Sequence, residues 1–152
     1  MHISLQAEVL GEIFGLPITN SLVLSLLTAA MLVGGGFLVA RGLQLVPGKV
    51  QSTVELVIDS LLDLTAQVVG DRKQASKFFP LVATIFLFIL LNNWIGVLPG
   101  TGSIGFHESI DGHDMFVPFF RSANADLNTT LALALIAVLA IQMYAIQKLG
   151  FF

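Results

Sequence analysis

The chain has 152 residues, no cysteine and 11% charged residues, whereas about 25% is typical of a soluble domain. Hydrophobic residues make up 55% of the sequence, the mean hydropathy is +0.88 and the formal net charge is −3 at pH 7. This composition excludes thiolate catalysis, disulfides and cysteine-ligated metal sites, and the sequence offers no basic patch for nucleic acid.

Three long stretches contain no charged residue: 13–40, 78–106 and 127–147. A helix needs about 20 apolar residues to cross a hydrocarbon core about 30 Å thick. The sequence therefore predicts three transmembrane helices, over about 21–40, 79–98 and 127–147. The residues before the first span, 1–20, are expected to form a short amphipathic lead that is broken at Pro17.

A fourth helix is predicted over about 50–69, because apolar residues recur there at three- and four-residue spacing. Glu55, Asp59 and Asp63 repeat every four residues along its opposite face. A helix that lies on anionic lipid usually carries Lys and Arg on its polar face. This acidic face is therefore predicted to meet water or to bind a partner protein at the membrane surface.

The second span is expected to place Pro80 in its first turn and to end at Pro99. Residues 100–125 then form a glycine-rich acidic loop. Within this loop, the string from His107 to Asp114 is a poor match to a zinc-binding helix, because Asp111 stands where a second histidine is needed. No metal site and no cofactor are predicted.

The orientation of the chain is predicted from the distribution of Lys and Arg. Residues 1–20 contain neither, whereas residues 41–77 contain Arg41, Lys49, Arg72, Lys73 and Lys77. The positive-inside rule then predicts the N-terminus outside, the amphipathic helix inside and the C-terminus of this chain inside.

Two polar clusters interrupt the apolar runs. Asn92 and Asn93 lie in the second span, and Asp126, Asn128, Thr129 and Thr130 open the third, so the predicted orientation brings both clusters to the outer side. Polar groups in a membrane usually face a protein interior or a wet cavity, so the clusters could form the wall of a water-filled vestibule. Two structural roles stay open: a helix cap at Asp126 and hydrogen bonding between helices by the asparagines.

Particular strings resemble the a subunit of F-type ATP synthases: Asn-Trp-Ile-Gly-Val-Leu-Pro at 93–99 and Ala-Asp-Leu-Asn-Thr-Thr at 125–130. The resemblance implies a non-catalytic stator subunit of the bacterial inner membrane. In that family the subunit sits beside a ring of c subunits and the b subunits of the peripheral stalk. It provides half-channels for protons, and positions matching Asn93, Asp126 and Asn128 lie towards the outer half-channel.

The family has two further helices, the first of which carries an essential arginine that has no match in these residues. The chain is therefore interpreted as an N-terminal portion of an a subunit. No ionisable group lies in the middle of a span, so these residues alone are not expected to carry protons across a bilayer. The alternative is a non-transporting scaffold subunit that binds other membrane proteins.

The fold class expected from these patterns is an all-α membrane protein with three transmembrane helices and one amphipathic surface helix, forming a single membrane domain over residues 1–152.

Overall fold

A computed structural model of the protein describes residues 7–110 and 113–149, except for the side chains of residues 108–110, 113–115 and 148–149. In chain order, the described residues form a β-hairpin, three α-helices, a second β-hairpin and a fourth α-helix. Three of the helices are long and apolar enough to cross a membrane. The predicted helical membrane fold is therefore confirmed.

The first and last of these spans agree closely with the predicted ranges. Helix α1 (Asn20–Arg41) has 22 residues and is about 33 Å long at about 1.5 Å per residue, which matches the thickness of the hydrocarbon core. Helix α1 has a basic residue, Arg41, in its last turn, where its positive charge interacts favourably with the negative end of the helix dipole. Helix α4 (Leu127–Leu149) begins at the predicted residue.

Between them, helix α2 (Lys49–Val69) is the predicted amphipathic helix. It ends at Gly70, whose φ of 83° lies in the left-handed region that glycine adopts without a steric cost. The N–H of Gly70 donates to the carbonyl of Ala66, which satisfies one of the last carbonyls of the helix.

Helix α3 (Arg72–Val97) begins well before the predicted start at Phe79. Asp71 provides this earlier start, because its Oδ1 accepts the N–H of Lys73 at 3.0 Å and its carbonyl accepts the N–H of Ala75 at 2.9 Å. The predicted place of Pro80 in the first turn is consequently wrong, since Pro80 lies inside the helix. Membrane helices tolerate such prolines because neighbouring groups and local adjustments of the helix satisfy the carbonyl that the proline leaves without a donor.

Two short antiparallel hairpins occupy segments for which the sequence predicted no strands. Strands β1 (Val9–Ile13) and β2 (Leu16–Thr19) pair across a turn in which Phe14 and Gly15 both have positive φ, at 53° and 78°. Positive φ at both central residues is the requirement of a type I′ hairpin turn. Strands β3 (Gly105–Ile110) and β4 (His113–Pro118) form the second hairpin within the glycine-rich segment.

The chain divides into two compact units, one of Met1–Leu26 with Asn92–Phe152 and one of Leu27–Leu91. In the first unit, buried side chains gather near the start of α1 and the start of α4, where both hairpins contribute. In the second, α2 and α3 line an apolar cleft.

Candidate functional site

A buried carboxyl group stands at the start of α4. Asp126 is 5% exposed and has an extended backbone, with φ −99° and ψ 124°. Its carbonyl accepts the N–H of Thr130 at 3.1 Å, and its Oδ1 accepts the N–H of Asn128 at 3.4 Å. These contacts are those of a helix N-cap, in which an aspartate satisfies backbone N–H groups of the first turn.

The second carboxylate oxygen of Asp126 makes contacts that a cap does not require. Oδ2 accepts the hydroxyl of Thr129 at 3.0 Å and the hydroxyl of Ser21 at 3.4 Å. Ser21 is 1% exposed and lies at the start of α1. This contact therefore connects the N-terminal ends of two membrane-spanning helices, α1 and α4. The hydroxyl of Thr19 lies 3.1 Å from that of Ser21. The result is a continuous series of oxygen atoms from Thr19 through Ser21 and Asp126 to Thr129.

Sequence reasoning missed Ser21 and Thr19 in this site. Neither residue interrupts an apolar run, because both lie at the edge of the first span, where polar residues are common. Only the folding of α1 beside the start of α4 brings their hydroxyls to the carboxyl group.

A second polar cluster surrounds Asn20, which is fully buried. Its side-chain amide donates to the Glu8 carboxylate at 3.0 Å and to the Pro118 carbonyl at 3.2 Å, and its backbone N–H donates to the Glu8 carbonyl at 3.1 Å. These bonds fasten both hairpins to the start of α1. The Asn20 Oδ1 atom is buried, with no hydrogen-bond partner among the described residues.

The two asparagines of α3 differ in their surroundings. Asn92 is fully buried, whereas Asn93 is exposed. One turn later, α3 approaches the segment before α4, because a Cβ atom at Gly96 would lie 2.8 Å from the Cβ of Ser122. The end of α3 therefore lies close to the segment that precedes α4, and the clustering of the two asparagines with the polar residues at the start of α4 stays a prediction. Asn128 is exposed and Thr129 is partly buried.

The acidic face of α2, formed by Glu55, Asp59 and Asp63, is engaged within the chain. Arg72 forms ion pairs with both aspartates, one of them at 3.1 Å, the Nη2–Asp59 Oδ1 contact. Glu55 accepts the side-chain amide of Gln51 at 2.8 Å. These side chains are well exposed, and exposed ion pairs contribute only about 0–1 kcal/mol. A role of this face in binding a partner therefore stays a prediction.

The string from His107 to Asp114 lies largely outside the side chains that the structure describes. The His107 ring meets the Phe116 ring edge-on, with centroids 5.4 Å apart. Over the described residues, no group of three histidine or acidic side chains is arranged to hold a metal ion.

Comparison with known proteins shows which family this chain resembles. A family model described as ATP synthase A chain matches residues 22–152. The chain is 35% identical over 121 residues to an ATP synthase subunit a from Gloeobacter violaceus, covering 80% of this chain and 45% of the relative. It is 36% identical over 146 residues to one from Afipia carboxidovorans, covering 93% and 49%.

A relative from Propionigenium modestum is named as sodium ion specific and is 29% identical over 145 residues, covering 95% of this chain and 48% of its own length. The chain spans about half the length of the curated relatives it matches.

Proposed function

We propose that this chain, which belongs to the ATP synthase A chain family, is a non-catalytic part of the membrane sector of an ATP synthase and takes part in proton translocation. The observation that carries the proposal is the buried Asp126 carboxyl at the start of a membrane-spanning helix. An ionisable group there is costly unless its surroundings provide polar partners, so such groups usually serve an ion pathway.

Asp126 and its neighbours have the chemistry that a proton path needs. Hydroxyl and carboxyl groups both donate and accept hydrogen bonds, so Thr19, Ser21, Asp126 and Thr129 can relay protons through the contacts between them. The exposed Asn93 and Asn128 supply amides that can hydrogen-bond water at the mouth of the path. We assign these residues, with Asn92, to the wall of an outer half-channel.

The orientation and partners belong to the same proposal. The chain lies in a bacterial inner membrane as one membrane domain, with the N-terminus outside and the C-terminus of this chain inside, in keeping with its Lys and Arg distribution. Its partners are a ring of c subunits and peripheral-stalk b subunits. On the acidic face of α2, we assign Glu55, Asp59 and Asp63 to the contact with a partner subunit, since all three are exposed.

Single cysteines test the proposed half-channel directly, because the chain contains no cysteine of its own. In intact cells, Asn93→Cys and Asn128→Cys should react with membrane-impermeant thiol reagents added from outside, since a thiolate forms only where water reaches the side chain. Leu139→Cys, in the middle of α4 and 62% exposed, is the matched control and should stay unreactive in the hydrocarbon core.

Protection of both cysteines from reagents on either side of the membrane would contradict an aqueous path. That outcome would favour the scaffold alternative, in which these polar residues only connect helices. Reaction from the inside alone would contradict the proposed orientation while leaving an aqueous path in place.

A further inference from the structure

The hydroxyl hydrogens between Thr19 and Asp126 share one direction. An ionised carboxylate only accepts hydrogen bonds, so the Ser21 hydroxyl donates to Asp126 Oδ2 across their 3.4 Å contact. A hydroxyl group has a single hydrogen atom to donate. In the 3.1 Å contact between the Thr19 and Ser21 hydroxyls, Ser21 must therefore accept and Thr19 must donate.

The Thr19 oxygen can accept one further hydrogen bond. It already accepts the backbone N–H of Leu22 at 3.2 Å, which makes Thr19 the N-cap of α1. A hydroxyl oxygen has two lone pairs, so the second can accept a hydrogen bond from water while the hydrogen atom of Thr19 points to Ser21. The series therefore accepts at Thr19 and donates from there towards Asp126.

Burial indicates at which end water reaches this series. Ser21 is 1% exposed and Asp126 is 5% exposed, whereas Thr19, the last residue of β2, is partly exposed. Thr129 is also partly exposed, but it lies in the first turn of α4, and its hydroxyl donates to Asp126 Oδ2. Helices α1 and α4 begin at the same contact, and Thr19 precedes α1 whereas Thr129 lies within α4. Thr19 is therefore the end of the series nearer the outer water.

The Glu8 carboxylate also lies beside the start of α1, but it does not extend the series. It accepts the side-chain amide of Asn20 at 3.0 Å. An amide nitrogen only donates hydrogen bonds and an amide oxygen only accepts them, so Asn20 cannot pass a proton on as a hydroxyl group can. A proton that enters the series therefore comes to Thr19 from water.

We propose that Thr19 is the inlet residue of the proton path, the group that takes each proton from the outer water; this inference rests on the proposed function. A hydronium ion gives a proton to the second lone pair of the Thr19 oxygen and becomes water. Thr19 gives its own hydrogen to Ser21, and Ser21 gives its hydrogen to Asp126. Each hydroxyl group breaks one O–H bond and forms another, so only the carboxylate gains a proton.

Single cysteines in intact cells test where water meets the series, since the chain has no cysteine of its own. Thr19→Cys should react with a small membrane-impermeant thiosulfonate added from outside at least tenfold faster than Ser21→Cys, because a thiolate forms where water reaches the side chain. Glu12→Cys, at an exposed position of β1, is the control that shows the reagent reaching the hairpin.

Substitutions at Thr19 separate the relay from the helix cap. In the ATP synthase of which we propose this chain to be a part, Thr19→Asn should lower ATP synthesis driven by an imposed proton gradient at least fivefold. Asparagine caps a helix at least as well as threonine but cannot relay a proton. Thr19→Ser keeps a hydroxyl group and should be at least threefold faster than Thr19→Asn. All rates are normalised to the assembled complex.

Thr101→Asn is the matched control for these substitutions. Thr101 is also partly buried, but its hydroxyl contacts the carbonyl groups of Gly96 and Leu98, at 3.3 and 2.9 Å, and has no part in the series. ATP synthesis should therefore be unchanged in this variant.

Equal reaction rates of Thr19→Cys and Ser21→Cys would overturn the inlet, as would ATP synthesis at the unsubstituted rate in Thr19→Asn or an equal loss in Thr19→Ser. Asp126→Asn, measured alongside, separates this inference from the function on which it rests. If Asp126→Asn alone is slow, the path stands and the inlet at Thr19 falls. If neither variant is slow, the path itself falls. If Thr19→Asn does not assemble, the two cysteine rates decide the outcome.

Discussion

Asp126 combines two roles in one side chain. One oxygen atom caps α4, and the other accepts a hydroxyl from α1, which lies 105 positions earlier in the chain. A cap alone would be local and would need no partner from another helix. The contact with Ser21 therefore holds the starts of α1 and α4 together. The proposed proton path through Asp126 includes this contact.

Ser21→Ala should lower the free energy of unfolding by about 1–2 kcal/mol, because it leaves a buried carboxyl oxygen with one fewer donor. Ser25→Ala is the matched control. The Ser25 hydroxyl donates to the Ser21 carbonyl within the same helix, at 2.8 Å, and the loss of such a local bond is nearly neutral. Detergent-titration unfolding followed by circular dichroism measures both variants; equal losses would show that the contact with Asp126 contributes no tertiary stability.

Among the elements, the hairpin β3–β4 has a strict requirement at its first residue. A Cβ atom at Gly105 would lie 2.1 Å from the Val117 carbonyl oxygen and 2.8 Å from Pro118 Cα. Both of these are backbone atoms, which cannot rotate away as the end of a side chain can. Because the Pro118 carbonyl accepts the Asn20 amide, disruption of this end of the hairpin also disturbs the polar cluster at the start of α1.

Gly105→Ala should therefore destabilise the hairpin by about 1–3 kcal/mol, the usual cost of overpacking. Gly102→Ala is the control, since a Cβ there meets nothing within 4 Å. Hydrogen exchange of the β3 and β4 amides, measured by mass spectrometry, should accelerate in the first variant alone. Unchanged exchange in Gly105→Ala would mean that the strands separate enough to admit the methyl group at little cost.

At the scale of the whole molecule, the proposed proton path and the scaffold alternative predict different roles for Asp126. A scaffold needs only its capping and tethering bonds, and asparagine is about as good a cap as aspartate. A proton path needs an ionisable group.

Asp126→Asn, in the ATP synthase of which we propose this chain to be a part, should lower ATP-driven proton pumping at least fivefold, with assembly retained. Asp71→Asn is a matched control, because Asp71 also accepts a first-turn N–H at the start of a membrane-spanning helix but is exposed. Quenching of an acridine dye in inside-out vesicles, normalised to the assembled complex, measures pumping. Pumping at the unsubstituted rate in Asp126→Asn would leave Asp126 with a structural role only.

The sequence alone determined the four helices, because the bilayer selects for long uncharged runs and because a four-residue repeat of acids marks an amphipathic face. It also pointed to Asp126, since a carboxylate beside an apolar run is chemically conspicuous. It did not determine the start of α3, where the Asp71 cap outweighed the preference of Pro80 for a first turn.

Only the tertiary structure decided the two hairpins and the neighbours of Asp126. Strands as short as β1 and β2 are marginal alone, so they depend on contacts such as Glu8 with Asn20 that no local pattern encodes. The hydroxyl of Ser21 likewise becomes a partner of Asp126 only when two distant helices begin side by side. The length of an apolar run is a local property of the sequence, so it can be read directly. The pairing of buried polar groups depends on residues that are far apart in the sequence.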